Sequence, residues 1–348
     1  MIASVLFMVL TLVVALVQDG YTTQVSVGPI VVDGDTATRI VTTHPGDDSL
    51  VIAGASGLYA NDGAGWSTIG PVPPSGHIAA TGDGAALLLA GDHSHCMLGG
   101  PGTSLHRSDD GGQTWTPVPG SLDYRPIAIW AEPAIALASS CAGLQSSFDG
   151  GLTWSPLASI EPGWDFTAFA EIPQADGSGP LVLVGLTSEG GTSYLRSIDL
   201  SDPLAPVVSA DLRMYYGLGG LTGADDTWVL AAMDGVWTSE DSGTTWSRSA
   251  EGLESVVLEE DPALFGFPED LDPRGYGLFA ATMLQGEQPG IVVGSVDGIY
   301  TSHADSGGWS RMDGTAGRVH EVAVSDHGGL LVYATDEGVF QVDFTTSE

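Results

Sequence analysis

The sequence predicts an all-β protein, a seven-bladed β-propeller of four-stranded antiparallel blades in which the N-terminal strand closes the last blade; six blades is the alternative count. Three observations carry this. The pattern Ser-x-Asp-x-Gly-x-Thr-Trp stands in full at 108–115, 147–154 and 239–246. Short apolar or alternating runs recur around these copies, four to a unit of roughly 35 to 60 residues, with no long helical period. Finally, 49 Gly and 20 Pro among 348 residues suit many short strands joined by tight turns.

The repeated pattern has a chemical logic. The carboxylates of Asp110, Asp149 and Asp241 can accept N–H groups of their own turns, helped by Ser108, Ser147 and Ser239. Gly112, Gly151 and Gly243 can take positive φ, after which a strand resumes at Thr-Trp. Trp115, Trp154 and Trp246 then offer large apolar faces for burial against a neighbouring unit. Weaker copies at 61–66 and 302–309 keep the acid, a glycine and the tryptophan, and Ser197-Ile198-Asp199 keeps only the first half.

With these turns as phase markers, the units follow in order. The first has its inner strand at 36–43, then strands at 50–55 and 57–61 and an outermost strand after Trp66. The second, 77–119, carries a long loop at 92–103; the third spans 123–157; the fourth, 166–212, has a decayed turn; the fifth spans 214–249. In the sixth, an acidic, Pro-bearing insertion at 254–275 precedes strands at 278–283, 291–294 and 299–302, and such insertions lie on surfaces. The seventh supplies three strands, 319–325, 330–334 and 339–344, so the otherwise unassigned 22–30 is expected to complete it and remove the open edges.

The pattern resembles the Asp-box, or BNR repeat, of sialidases, sortilin-type receptors, some xyloglucanases and the photosystem II stability/assembly factor family. That resemblance implies a turn between the two outer strands of a blade, remote from any catalytic site, so the twelve box residues named above are assigned structural roles. Sialidases add an arginine triad, a Tyr with a Glu partner and an Asp acid. Arg39-Ile40 resembles the start of their Arg-Ile-Pro motif, but Val41 replaces the proline, and Tyr215, Tyr216 and Glu321 are joined by nothing in the sequence. No catalytic residue is carried over.

Composition bounds the partners. There are 44 acidic residues against nine basic ones, all arginine, for a net charge of −35. Such a surface repels nucleic acid, whose binding relies on Lys and Arg, and keeps a chain soluble by self-repulsion. Residues 2–17 form an uncharged apolar run of signal-peptide length, short of a comfortable membrane span. The expected organisation is a signal peptide or N-terminal anchor at 1–18 and one propeller domain at 19–348, extracytoplasmic and monomeric, with membrane contact only through the leader if it is retained. Cys96 and Cys141 follow the second strands of adjacent units, which permits a disulfide.

In a propeller of this phase the loops between second and third strands share one face with the links between blades, and the boxes lie on the other. Function is therefore expected opposite the boxes, on 92–103, 187–192, 233–234, 295–297 and 336–337. Asp92-His93-Ser94-His95-Cys96 holds ligand-type side chains, but a structural zinc site draws on two ligand pairs and no second cluster stands elsewhere, so neither metal nor cofactor is expected. Arg39, Arg125, Arg213 and Arg318 are each placed at the start of an inner strand, where guanidinium groups around one channel mouth can hold a carboxylate. Asp123 and Asp211, two residues before Arg125 and Arg213, can instead satisfy those two. The expected function is a non-catalytic propeller that binds or scaffolds a protein or glycan. The alternative is a sialidase-like glycoside hydrolase acting on acidic sugars, which needs two carboxylates about 5 to 10 Å apart.

Overall fold

The computed structural model describes residues 14–18, 21–32, 34–41, 50–54, 56–61, 65–71, 78–81, 86–90, 104–122, 124–129, 134–140, 143–157, 164–172, 181–188, 193–200, 202, 206–214, 218–224, 227–232, 235–241, 243–258, 275–276, 278–284, 290–303, 308–325 and 330–347. The loop 92–103 with Cys96, as well as Cys141, Tyr215 and Tyr216, lies outside them. So do 233–234, most of 187–192, and 259–274 of the insertion.

The described residues form seven antiparallel sheets of four or five strands and one two-stranded pair. Sheet one comprises Val31–Val32, Asp35–Val41, Leu50–Gly54, Leu58–Asn61 and Trp66–Gly70. Sheet two holds Ile78–Ala80, Leu87–Leu89, Ser104–Ser108 and Thr116–Leu122; sheet three holds Arg125–Ile129, Ala136–Ser140, Gly143–Ser147 and Ser155–Pro156. Sheet four holds Trp164–Ile172, Leu181–Ser188, Ser193–Asp199 and Val207–Met214; sheet five holds Leu218–Ala224, Thr227–Ala232, Gly235–Ser239 and Ser247–Ser249. Sheet six holds Leu278–Leu284, Gly290–Ser295, Ile299–His303 and Ser310–Arg311. A 3-10 turn at Glu254–Val256 leads to the small pair, Val257–Leu258 with Gly275–Tyr276.

Sheet seven closes the ring. Val319–Ser325, Leu330–Thr335 and Gly338–Ser347 are joined by Tyr21–Pro29, paired from Thr22↔Ser347 to Pro29↔Phe340. Of the segment 1–18 expected as a leader, residues 1–13 fall outside the described residues, and Val14–Gln18 pair with Tyr21–Val25 as a fifth strand. Neighbouring sheets touch in chain order, and sheet seven touches the Asp35–Val41 strand of sheet one. The fold is thus an all-β propeller. Among the described residues no helix is long and apolar enough to cross a membrane.

One boundary differs from expectation. The inner strand of sheet five begins at Leu218, not 214, because Val207–Met214 continues as the fourth strand of sheet four. The reason is steric. A Cβ on Gly220 would fall 2.7 Å from Ala280 Cα, so the stretch that packs backbone to backbone on sheet six is the one that starts at Leu218-Gly219-Gly220.

The three full boxes repeat one hydrogen-bond pattern between third and fourth strands. The Ser108, Ser147 and Ser239 hydroxyls donate to Asp110, Asp149 and Asp241 at 2.8, 2.8 and 2.9 Å. The same hydroxyls accept the N–H of Gly112, Gly151 and Gly243 at 2.8, 2.8 and 2.9 Å. Each aspartate's second oxygen takes the hydroxyl of Thr114, Thr153 or Thr245 at 2.6, 2.6 and 2.7 Å. Gly151 holds φ +87°, and a Cβ there would strike Leu88 of sheet two at 2.9 Å. The box thus sits against the preceding sheet.

The tryptophans complete that contact. Trp115 packs on Val51, Ala53 and Leu58 of sheet one, and Trp154 on Leu88, Leu105 and Val118 of sheet two. Trp246 joins the cluster of Leu195 from sheet four with Leu218 and Trp228. The degenerate copies keep this link: Trp66 Nε1 donates to Gln341 of sheet seven at 3.0 Å, and Trp309 packs among Val229, Ala231 and Val236 of sheet five. One large ring packed at each of these five interfaces is the repeated energetic unit there.

The box carboxylates carry a pH signature. Hydrogen bonds from the Thr114 hydroxyl, the Thr114 N–H and the Ser108 hydroxyl pull Asp110 down from 3.8 to about 2. Burial pushes Asp149 up, but the Thr153 hydroxyl and N–H and the Ser147 hydroxyl outweigh it, and its pKa is lowered on balance. Asp241 is lowered by the Thr245 N–H and hydroxyl. A folded pKa below the unfolded value gives stability that is complete above 3.8 and lost as pH falls toward about 2. Melting temperature is therefore expected to drop across that window, with a shallower slope in Asp110→Asn. At neutral pH, Asp149→Ala is expected to cost about 1 to 3 kcal/mol by stranding its turn donors, leaving ligand binding unchanged. An unaltered urea midpoint would show that the box does not stabilise the turn.

Candidate functional site

Six of the seven inner strands share an irregularity. Each pairs with its second strand through a register shift: Ala37/Arg39, Pro126/Ala128, Phe166/Ala168, Leu218/Gly220, Leu278/Ala280 and Val319/Glu321. The inserted residues are Thr38, Ile127, Thr167, Gly219, Phe279 and His320. Only Ile78–Ala80 of sheet two pairs without a shift. An extra residue bends and twists a strand and re-aims a side chain. Since four insertions lie in the first half of their strands and two, Thr38 and Ile127, at the midpoint, the ring of insertions sits toward the channel mouth on the face opposite the boxes.

The second-to-third strand hairpins on that face share a device of their own. The hydroxyls of Ser140, Ser295 and Thr335 donate to the carbonyls of Gly143, Gly298 and Gly338 at 3.0, 2.8 and 3.3 Å. Gly338 takes φ +138°, which only glycine adopts without strain. This hairpin carries Asp336, whose Oδ1 lies 2.6 Å from Nε2 of the inserted His320. In sheet six, Arg311 donates to the carbonyls of Asp297 and Thr315 and locks the hairpin to the outgoing link.

A cation and two rings meet where sheets six and seven adjoin. The Arg318 guanidinium lies 4.3 Å above the centroid of the inserted Phe279, and that ring is 6.5 Å from the His320 ring at a 46° tilt. A cation–π contact holds the guanidinium over the ring without using its N–H groups. Among the described residues Arg318 makes no hydrogen bond or ion pair, and it is exposed. Its donors stay available to an anion. Among the same residues no cluster of His, Cys, Asp and Glu is arranged to hold a metal ion.

The four arginines do not share one position. Arg39 lies within the inner strand of sheet one, opposite Ala53, and Arg125 opens the inner strand of sheet three, opposite Ser139. Arg213 is the exception: it pairs with Tyr194 on the outermost strand of sheet four, at the rim and not at the mouth. The expectation of an inner-strand Arg213 fails for the reason given above, since the box-less fourth sheet keeps a full-length outer strand. The side chains of Arg39, Arg125 and Arg213, and those of Asp123 and Asp211, lie outside the described part. Phe279 and His320 went unnoticed in the sequence. Their signal is local: Leu278-Phe279-Ala280 and Val319-His320-Glu321 each break a two-residue alternation just after the strand begins.

No protein-family model and no curated protein matches the chain. Among solved structures, it is similar to the extracellular domain of BT4673 from B. thetaiotaomicron, with 11% identity and a TM-score of 0.51, over 90% of this chain and 39% of that one. Sqt1 from Saccharomyces cerevisiae matches with 12% identity and a TM-score of 0.51, over 93% of both chains. PorZ, a surface component of the type-IX secretion system of Porphyromonas gingivalis, matches with 13% identity and a TM-score of 0.48, over 92% of this chain and 39% of that one. The chain thus spans well under half of BT4673 and PorZ. At such identity the likeness to BT4673 and Sqt1 is one of fold alone.

Proposed function

We propose that this chain is an exported, non-catalytic member of the Asp-box propellers that binds a glycan or a protein through the channel mouth opposite its boxes. The observation that carries this is Arg318: a guanidinium held over Phe279, exposed and without a hydrogen-bond partner among the described residues, in a chain of net charge −35. In a chain whose overall field repels anions, an anion needs a local cation with open N–H donors, and the planar fork of Arg318 suits a carboxylate. The boxes favour the family through their turn geometry, and the extracellular placement named for BT4673 agrees with an extracytoplasmic site. For the blade count, the seven sheets of four or five strands favour seven, with six the alternative.

The hydrolase alternative drew on four converging arginines, and Arg213 stands on an outer strand. Calorimetry of sialyllactose against lactose, with a fluorogenic sialoside as a turnover assay, separates the two. Binding of the acidic sugar, weakened about tenfold by Arg318→Ala with no turnover, supports recognition; one charge-assisted hydrogen bond is worth about that factor. Turnover of the sialoside overturns the non-catalytic assignment. Equal binding by Arg318→Ala removes Arg318 from it.

A further inference from the structure

The outer edges of the sheets are guarded unequally. After full boxes the fourth strands are short or interrupted: Ser155–Pro156, Ser247–Ser249, and Thr116–Leu122 with two prolines and a positive φ of 76° at Gly120. Sheet six ends in Ser310–Arg311, sheet one in the five residues Trp66–Gly70, and sheet seven is covered by its own N-terminal strands. Short strands, prolines, bulges and covers are the usual defences of an exposed edge. Sheet four keeps only a bulge, Ser209-Ala210 opposite Ser197. Without a box, its fourth strand Val207–Met214 runs eight residues with neither Pro nor Gly.

That strand is paired on one side only. Its ladder to Ser193–Asp199 runs from Asp199↔Val207 to Ile198↔Val208 and, past the bulge, from Arg196↔Asp211 to Ser193↔Met214; among the described residues no strand pairs with its other side. Along Asp211–Met214 alternate residues therefore aim an N–H and a C=O outward, a row that another extended backbone matches. Val207, at the start of the strand, is 58% exposed, one of three large apolar residues so exposed among the described residues.

We propose that the outer edge of sheet four is a strand-addition site for an extended, basic segment of a partner protein. Backbone geometry requires the extended form. Charge selects the basic one: at −35 the chain attracts Lys and Arg and repels a second copy of itself. The site lies on the rim, away from the mouth, so it goes beyond the ligand role of Arg318.

The test titrates the full chain with a fluorescein-labelled octapeptide of alternating Arg and Val, read by anisotropy at physiological salt. Its twin is N-methylated at alternate residues, keeping the charge and losing the donors. The unmodified peptide is expected to bind about tenfold or more tightly than the twin. Leu212→Pro and Arg213→Pro form the second arm, because adjacent residues aim their N–H groups to opposite sides. The variant that melts like the parent is expected to lose binding, and losing Arg213 cannot weaken a basic peptide through charge. Absent binding, equal affinity of the two peptides, or unchanged binding by a parent-like proline variant overturns the proposal. So does a dimer in sedimentation that either proline breaks, which would assign the edge to a second copy.

Discussion

Trp154→Ala is expected to lower the unfolding free energy by about 3 to 5 kcal/mol, the range for removing a packed tryptophan. The ring spans sheets two and three, meets Tyr124 edge-on at 5.7 Å and 88°, and donates its indole N–H to the Gly151 carbonyl at 3.0 Å. Truncation removes apolar burial, the aromatic pair and a hydrogen bond together. Urea denaturation measures it, and a cost below about 1 kcal/mol would show that the tryptophans do not join the sheets. Phenylalanine provides the control. Trp154→Phe loses the indole bond, whereas Trp115 Nε1 is buried with no hydrogen-bond partner among the described residues, so Trp115→Phe is expected to be the milder of the two.

Gly220→Val is expected to cost about 3 kcal/mol or more, at the upper end for overpacking. A Cβ at Gly220 meets the backbone of Ala280 and Ala281, and one at Gly219 meets the Leu278 carbonyl and Phe279 Cα. A side chain can rotate away from an intruding methyl group; a paired inner strand cannot. Sheets five and six must separate at the axis, and closure passes that displacement to their neighbours. Gly220→Ala tests the same contact at lower amplitude, and a parent-like urea midpoint for it would refute the close approach.

Most of the architecture was legible because the box fixes the phase. Once Asp110, Asp149 and Asp241 are read as turn residues before a fourth strand, the three preceding strands follow from apolar alternation, and Val319–Ser325 falls where the pattern places it. The fold of sheet four was half legible. Its decayed marker, Ser197-Ile198-Asp199, sits inside a strand and gives no sign that Val207–Met214 continues, which is how Arg213 came to be assigned to the mouth. The site was less legible. Arg318 is visible as one of nine cations, but its stacking on Phe279 joins residues from two sheets and depends on two one-residue insertions. Periodicity averages over such insertions, and only atomic register displays them.

The pairing of Tyr21–Pro29 with Gly338–Ser347 also governs how the chain reaches its folded state. These partners are separated by more than three hundred residues, so the ring closes through the most non-local contact available. Earlier sheets can form as they are synthesised, each laid on the last, but Tyr21–Pro29 has no partner until the final strand exists. Closure is then a slow last step, during which both ends present bare strand edges to other chains. A circular permutant opened at a link between sheets would shorten that wait, and refolding is expected to lose its slowest phase.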